Sequence, residues 1–232
     1  MYIKDHMTTN PFTINPETSV SKALDIMGLH KFHRLPVVDH DGKLVGLLTE
    51  GVISESSGKD ITSLSIYELN YLLSRTTAYE IMIRDIVSIK PDVFLEEGAK
   101  LMADNEVGVL PVVDDNNKVI GIITDKDVFV AFAQIMGYRS RGTRFVVSCP
   151  DQPGTLAKVS QLFAEEDANM ENIAVYHSEE RGTELVVKAT GTVSVETMSK
   201  VLSDNGFKLV HVVQTDENGN RTVFVKNGES VR

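Results

Sequence analysis

The sequence predicts a mixed α+β and α/β chain, in which two copies of a β-α-β-β-α unit precede a separate βαββαβ domain. Two observations carry this. Residues 7–49 and 82–124 superpose with a constant offset of 75 and no gap, the self-similarity that marks a duplicated supersecondary unit. Beyond the glycine-flanked stretch Gly137-Tyr138-Arg139-Ser140-Arg141-Gly142, the order of strand and helix signals changes.

Within the repeat, Ile14 falls on Ile89, Pro16 on Pro91 and Met27 on Met102. Leu35-Pro36-Val37-Val38-Asp39 falls on Leu110-Pro111-Val112-Val113-Asp114, Gly46 on Gly121 and Thr49 on Thr124. Each copy opens with a short extended piece (Phe12 to Ile14, Val87 to Ile89) that stops at a proline. A helix follows. Val20, Ala23, Leu24 and Met27 recur at the spacing of one buried face, and Leu95, Ala99, Leu101 and Met102 match them. Two β-rich runs come next, Leu35–Val38 with Leu44–Leu48 and Leu110–Val113 with Val119–Ile123, each pair joined by a polar turn. After Thr124 a further helix places Val128, Phe129, Phe132 and Met136 along one side. Between the copies, Ser56 to Asp60 reads as an exposed loop and Ile66 to Leu73 as a short amphipathic packing helix.

Bulk properties narrow the function. A net charge of −10 and a pI near 5.1 argue against nonspecific binding to nucleic acid or anionic membrane, which needs surplus Lys and Arg. The single Cys149 excludes an intramolecular disulfide and fits a reducing compartment. No secretory segment or membrane-spanning run is legible, so a cytoplasmic location is expected. The chain holds no phosphate loop ending Gly-Lys-Ser/Thr, no metal-spaced His/Cys cluster and no Gly-x-Ser-x-Gly elbow, so no enzyme, catalytic residue, metal or cofactor is expected. Cys149, before Pro150 at a strand end, reads as a structural thiol.

The repeat, through His33-Arg34-Leu35-Pro36-Val37-Val38-Asp39 and Gly121-Ile122-Ile123-Thr124-Asp125-Lys126-Asp127, resembles the CBS domain, which works as a tandem pair called a Bateman module. The resemblance covers about Ile3 to Met136 and implies two pseudo-twofold clefts, each able to hold an adenine nucleotide. Physical chemistry agrees. Thr124 stands where a strand hands over to a helix, beside free N–H groups and the positive end of the helix dipole. Asp127, in the first turn, is placed to accept from ribose hydroxyls. The first copy departs from the pattern: Thr49 is kept, but Val52 replaces the ribose-binding aspartate. Each lost bond to a charged acceptor is worth about 1.5–3 kcal/mol, so the Thr124–Asp127 cleft is expected to bind tighter. His33 and Arg34 have Gly108 and Val109 as their counterparts in the other copy, and the resemblance turns them toward phosphate, Arg34 by bidentate contact. Ser88 and Ile89 are assigned to the adenine or ribose side by the resemblance alone.

The C-terminal part reads as strand Thr143–Ser148, helix Thr155–Glu166 with Leu156, Val159 and Phe163 inward, strands Ile173–His177 and Glu184–Ala189, helix Ser194–Asp204 and strand Phe207–Val213. This order is a ferredoxin-like split motif. With Asp151-Gln152-Pro153-Gly154-Thr155-Leu156-Ala157 it resembles the ACT domain, which senses amino acids. The resemblance implies an amino-acid site on Asp151, Gln152, Pro153, Gly154, Thr155 and Leu156, with Asn172 and Ile173 (and Asn169 nearby) on a second segment, and a ligand held between two copies in a homodimer. Gln214 to Arg232 is expected to form a hairpin or to fray.

The expected organisation is a first CBS unit with its linker at 1–66, a second at 67–137, a hinge at 138–142, an ACT domain at 143–214 and a tail at 215–232. The expected function is a non-catalytic regulator that senses AMP, ADP or ATP in the CBS pair and an amino acid in the ACT domain, with a link to acetoin or carbon metabolism. The alternatives are a cyclic di-AMP receptor and a structural dimerisation scaffold without a small ligand. Its partners are a nucleotide, a second copy and an unidentified regulated protein, with no nucleic acid and no membrane insertion.

Overall fold

The computed structural model describes residues 1–56, 66–138, 141–179, 182–191, 194–226 and 228–230. It divides into two compact units, Met1–Phe129 and Val130–Arg232.

In the first unit, one copy comprises a 3-10 turn at Ile3–Asp5, β1 (Thr8–Thr9), α1 (Val20–His30), β2 (Arg34–Val38), β3 (Leu44–Thr49) and α2 (Glu50–Ser56). After α3 (Ile66–Arg75), the second copy comprises α4 (Ala78–Ile81), α5 (Leu95–Asp104), β4 (Val109–Val113), β5 (Val119–Thr124) and the start of α6 (Asp125–Ile135), whose residues from Val130 on belong to the second unit. The Ser19 hydroxyl caps α1 by accepting the Lys22 N–H at 3.3 Å, satisfying one of the helix's free donors. The helix buries Val20, Ala23 and Met27, while α5 buries Leu95, Gly98 and Met102. The strand pairs β2–β3 and β4–β5 share one antiparallel register, including the irregularity at Val37/Val38 and at Val112/Val113. Of the expected loop between the copies, Ser57 to Asp60 lies outside the described residues.

The two copies exchange their leading segments. The Ile3 N–H donates to the Val93 carbonyl, and the Ala78 N–H donates to the Thr18 carbonyl. β1 pairs with β5 of the other copy, and Ile83 bridges to Leu47 in the same way. Met7 lies against Gly121, and Met82 against Gly46. Glycine is needed at both places because a side chain would occupy the methionine's space: a Cβ on Gly46 would stand 2.1 Å from the Met82 sulfur. Gly46→Ala is therefore expected to destabilise the first unit by about 1–3 kcal/mol through overpacking. Urea unfolding checks this, and an unchanged midpoint would contradict it.

In the second unit, β6 (Gly142–Cys149), α7 (Thr155–Glu165), β7 (Ala168–Ser178), β8 (Gly182–Gly191), α8 (Val195–Asp204) and β9 (Lys208–Thr215) give the expected βαββαβ order. β10 (Arg221–Lys226) and β11 (Glu229–Ser230) extend the sheet, whose order is β11-β10-β9-β6-β8-β7. The tail forms a hairpin. The Asp216 carboxylate accepts the N–H groups of Asn218 and Asn220 at 2.8 Å, and Gly219 takes φ +82°. Alternate residues of β6 and β8 (Phe145, Val147, Leu185, Val187) join Val159, Phe163, Met198 and Leu202 in one core. Leu156, expected inward, is 45% exposed, because it sits in the first turn of α7 and the buried stripe begins at Val159. On the opposite sheet face, Lys188 is 2% exposed and its ammonium donates to the Gly142 carbonyl at 3.3 Å. Burial, then the Arg144 charge, lowers its pKa. Phe129 and Phe132 of α6 are 68% and 62% exposed, whereas Val128 and Met136 on the same expected side are half-buried.

Candidate functional site

The exchange of leading segments builds a cleft of about 460 Å³ in the first unit. Its floor comes from both copies. β5 and the start of α6 supply Thr124, Lys126 and Asp127, the end of α1 and β2 supply Lys31 to Pro36, and the crossing segment supplies Thr8 to Phe12. Four sequence-predicted residues meet here: Thr124, Asp127, His33 and Arg34. Thr49, Ser88 and Ile89 do not line it. Thr49 caps α2, its hydroxyl accepting the Val52 N–H at 3.1 Å. Ile89 is 6% exposed and bridges to Val112, with Ser88 half-buried beside it. Because the leading segments cross, the Thr124 cleft is walled by Pro11 and Phe12 of the first copy rather than by their counterparts next to Ser88.

Thr124 and Asp127 form a reciprocal cap. Asp127 Oδ2 accepts both the Thr124 N–H at 2.8 Å and the Thr124 hydroxyl at 2.7 Å, and the Asp127 N–H donates to that hydroxyl oxygen at 3.3 Å. One carboxylate oxygen is thereby committed to the helix start, and Oδ1 is the one left to meet a ligand. Val52 cannot reproduce the return bond, so α2 keeps half of the cap. Asp127→Ala is expected to cost about 1 kcal/mol of stability from the cap alone, measurable by thermal unfolding; a larger loss than Thr124→Ala would contradict this.

Three permanent cations, Lys31, Arg34 and Lys126, line the cleft together with His33. Lys31 reaches its place because it ends α1 in a left-handed conformation, φ 57°. The Arg34 guanidinium donates to the Gly108 carbonyl of the other copy at 3.1 Å. His33 Nδ1 lies 2.7 Å from Glu50 Oε2. An aromatic group that the sequence reading missed stands at the mouth: Phe12 lies 4.2 Å from the His30 ring and 5.5 Å from the Phe32 ring, centre to centre. The offset of 75 gives Val87, Asn105 and Val107 at the matching positions, so this wall exists on one side of the pair. That asymmetry was visible in the sequence.

In the second unit, Gln152, Pro153, Gly154 and Thr155 line a groove of about 310 Å³ at the start of α7, with Lys158 and Asn205 to Phe207 opposite. Gly154 is required by its backbone, φ +89°, rather than by crowding, since no atom lies within 4 Å of where its Cβ would be. Asp151 stands apart, 3.8 Å from His177 Nδ1. Leu156 is exposed; Asn172 donates its amide to the Ile135 carbonyl, and Ile173 lies 41% exposed on β7. Neither Asn172 nor Ile173 lines the groove. Cys149 is buried, and burial, then the Asp151 charge, pushes its thiol up. Among the described residues there is no cluster of metal-ligating side chains, and no helix is long and apolar enough to cross a membrane.

Comparison with known proteins identifies the families of the two parts of the chain. The CBS domain family matches residues 3–56 and 78–134, and the ACT domain family matches residues 143–200. The CBS domain-containing protein YhcV of Bacillus subtilis is 32% identical over 131 residues, covering 55% of this chain and 83% of YhcV. The solved structure of MJ1225 from Methanocaldococcus jannaschii is 32% identical with a TM-score of 0.51, over 57% of this chain and 48% of that one. That of the acetoin utilization protein AcuB from Vibrio cholerae is 29% identical with a TM-score of 0.48, over 58% of this chain and 90% of that one. The chain spans between 22% and 47% of the length of six other curated relatives that it matches. The chain belongs to the CBS-domain family, as a tandem CBS pair followed by an ACT domain.

Proposed function

We propose that the chain is a non-catalytic regulatory protein whose CBS pair senses an adenine nucleotide, AMP, ADP or ATP, in the cleft of Thr124 and Asp127. The observation that carries this is the gathering of Lys31, Arg34, Lys126 and His33 on one cleft of a chain whose net charge is −10. Such a local reversal of sign focuses field on an anion. Phe12 and Phe32 offer a stacking surface for the base, Asp127 an acceptor for ribose, and Arg34 a fork for phosphate. Cyclic di-AMP shares this chemistry and is the second reading.

The ACT domain is proposed to bind an amino acid at the α7 groove, where Lys158 and the helix start favour a carboxylate. The edge strand β7, with Ile173, Val175 and Tyr176 exposed, suits pairing with a second copy in a homodimer. A link to acetoin or carbon metabolism through a regulated partner protein completes the proposal, together with a cytoplasmic location.

Isothermal titration of the full chain with AMP, ATP and cyclic di-AMP tests the nucleotide reading. It predicts saturable binding that Asp127→Ala weakens. Absence of binding at about 1 mM, a free energy near −4 kcal/mol, would leave the scaffold reading standing. A thermal-shift panel of amino acids tests the ACT groove, because a ligand of the native state raises the melting temperature by mass action.

A further inference from the structure

The second unit holds a cavity of about 330 Å³ that shares no lining residue with the α7 groove. It lies where β6 begins, whereas the α7 groove starts at Pro150, beyond the other end of that strand. Thr143 stands there in register with Ala189 of β8 and Gln214 of β9, and Thr215 in register with Gly142. Ala189, Gly142 and Gly191 carry little or no side chain, so the strand ends leave a hollow. Gly191 is confined to glycine by its backbone, φ +134°, and by the Asp167 carbonyl, 2.7 Å from where a Cβ would stand. Thr143 and Thr215 are 8% and 6% exposed and both line the hollow. Neither hydroxyl has a hydrogen-bond partner among the described residues. Buried polar groups are nearly always paired, and one left unpaired works against the fold that contains it. Two such hydroxyls at one cavity are groups that a ligand can satisfy.

The charged groups around the hollow are already matched. Arg141 Nη1 lies 2.6 Å from Glu217 Oε1. The Asp216 carboxylate accepts the N–H groups of Asn218 and Asn220 at 2.8 Å and the Asn220 side-chain amide at 2.9 Å. A charged ligand would have to break one of these arrangements to find its counter-charge. The groups left over are the two threonine hydroxyls and the Gln214 amide, beside an apolar wall of Phe145 and Ala189. We propose that this hollow is a second small-molecule site of the C-terminal unit, for an uncharged ligand that carries hydroxyl or carbonyl groups. A threonine hydroxyl both donates and accepts, so either kind of ligand oxygen serves. The volume falls at the lower end of small-molecule sites, which suits a compact compound. Arg141 and Gly142 belong to the linker expected between the domains, so the ligand would bind where the chain enters the sheet.

The test is amide NMR of the full chain titrated with glycerol, erythritol and dihydroxyacetone, with glutamate and lysine as charged controls. Concentrations reach about 10 mM, because so few atoms bind weakly even at a good site. At least one uncharged compound is expected to shift the amides of Gly142 to Phe145, Ala189 to Gly191 and Gln214 to Glu217, and to saturate. Thr143→Val is expected to weaken that binding about tenfold, the effect of one lost hydrogen bond, and Thr143→Ser to retain it. Thr143→Val should also melt no lower than the wild type, since the hydroxyl it removes has no partner to lose. Gln214→Ala, on an exposed side chain of the same hollow, is expected to weaken binding without touching the core. The proposal is overturned if none of the three uncharged compounds shifts these amides, if glutamate or lysine shifts them instead, or if Thr143→Val and Gln214→Ala bind as the wild type does.

Discussion

Phe163→Ala is expected to remove about 3–5 kcal/mol from the second unit, the range for emptying a large aromatic site in a core. Phe163 has no exposed surface and packs edge-on against Phe145 at 5.4 Å between ring centres. Around it lie Val159, Leu162, Met198 and Leu202, contributed by both helices and anchored to β6 and β8. The side chain therefore joins the two helices to the sheet, and no neighbour is free to fill the space. The cluster of the first unit, centred on Ile14, Val20, Leu35 and Leu48, shares no residue with it. A urea titration should show an early transition for the second unit and retained nucleotide binding by the first. A single transition displaced as a whole would contradict independent cores.

The second large effect is on binding. Arg34→Ala is expected to weaken the proposed nucleotide by about 10- to 100-fold, corresponding to loss of charge-assisted hydrogen bonds worth about 1.5–3 kcal/mol. Arg34 is one of three permanent cations on the cleft and the one that also touches the other copy, through the Gly108 carbonyl. Lysine is not an adequate substitute, because it lacks the planar fork that meets two phosphate oxygens at once. Arg34→Lys should therefore recover part of the affinity, and the salt dependence of binding should flatten in Arg34→Ala. Equal affinity in wild type and Arg34→Ala would remove Arg34 from the site.

Much of this architecture is legible in the sequence because periodicity and punctuation agree. The repeat offset locates α1 and α5, β2 to β5 and the Thr124 turn, and the change in element order beyond Gly142 announces the βαββαβ order of the second unit. The exchange of leading segments is not legible. An offset of 75 looks the same whether residues 2–9 fold onto their own copy or onto the other, and that ambiguity is why Ser88 and Ile89 fall outside the Thr124 cleft while Phe12 falls inside. The unequal clefts were visible through Val52, but the contacts of His33 with Glu50 and of Arg34 with the Gly108 carbonyl were not, since they join residues 17 and 74 positions apart. Lys188 shows a further limit. Nothing in the strand Glu184–Ala189 as read from sequence marks this lysine as buried, yet it is 2% exposed.

The duplication is thus unequal in its chemistry: one side of the pair carries the aromatic wall, the complete cap and the cations. A crystal structure of the full chain grown with AMP tests this most directly. The account predicts nucleotide in the cleft of Thr124 and Asp127, with the base against Phe12 and Phe32, ribose at Asp127 and phosphate at Arg34. Nucleotide seated instead against Thr49 and Val52, or equally in both clefts, would contradict it.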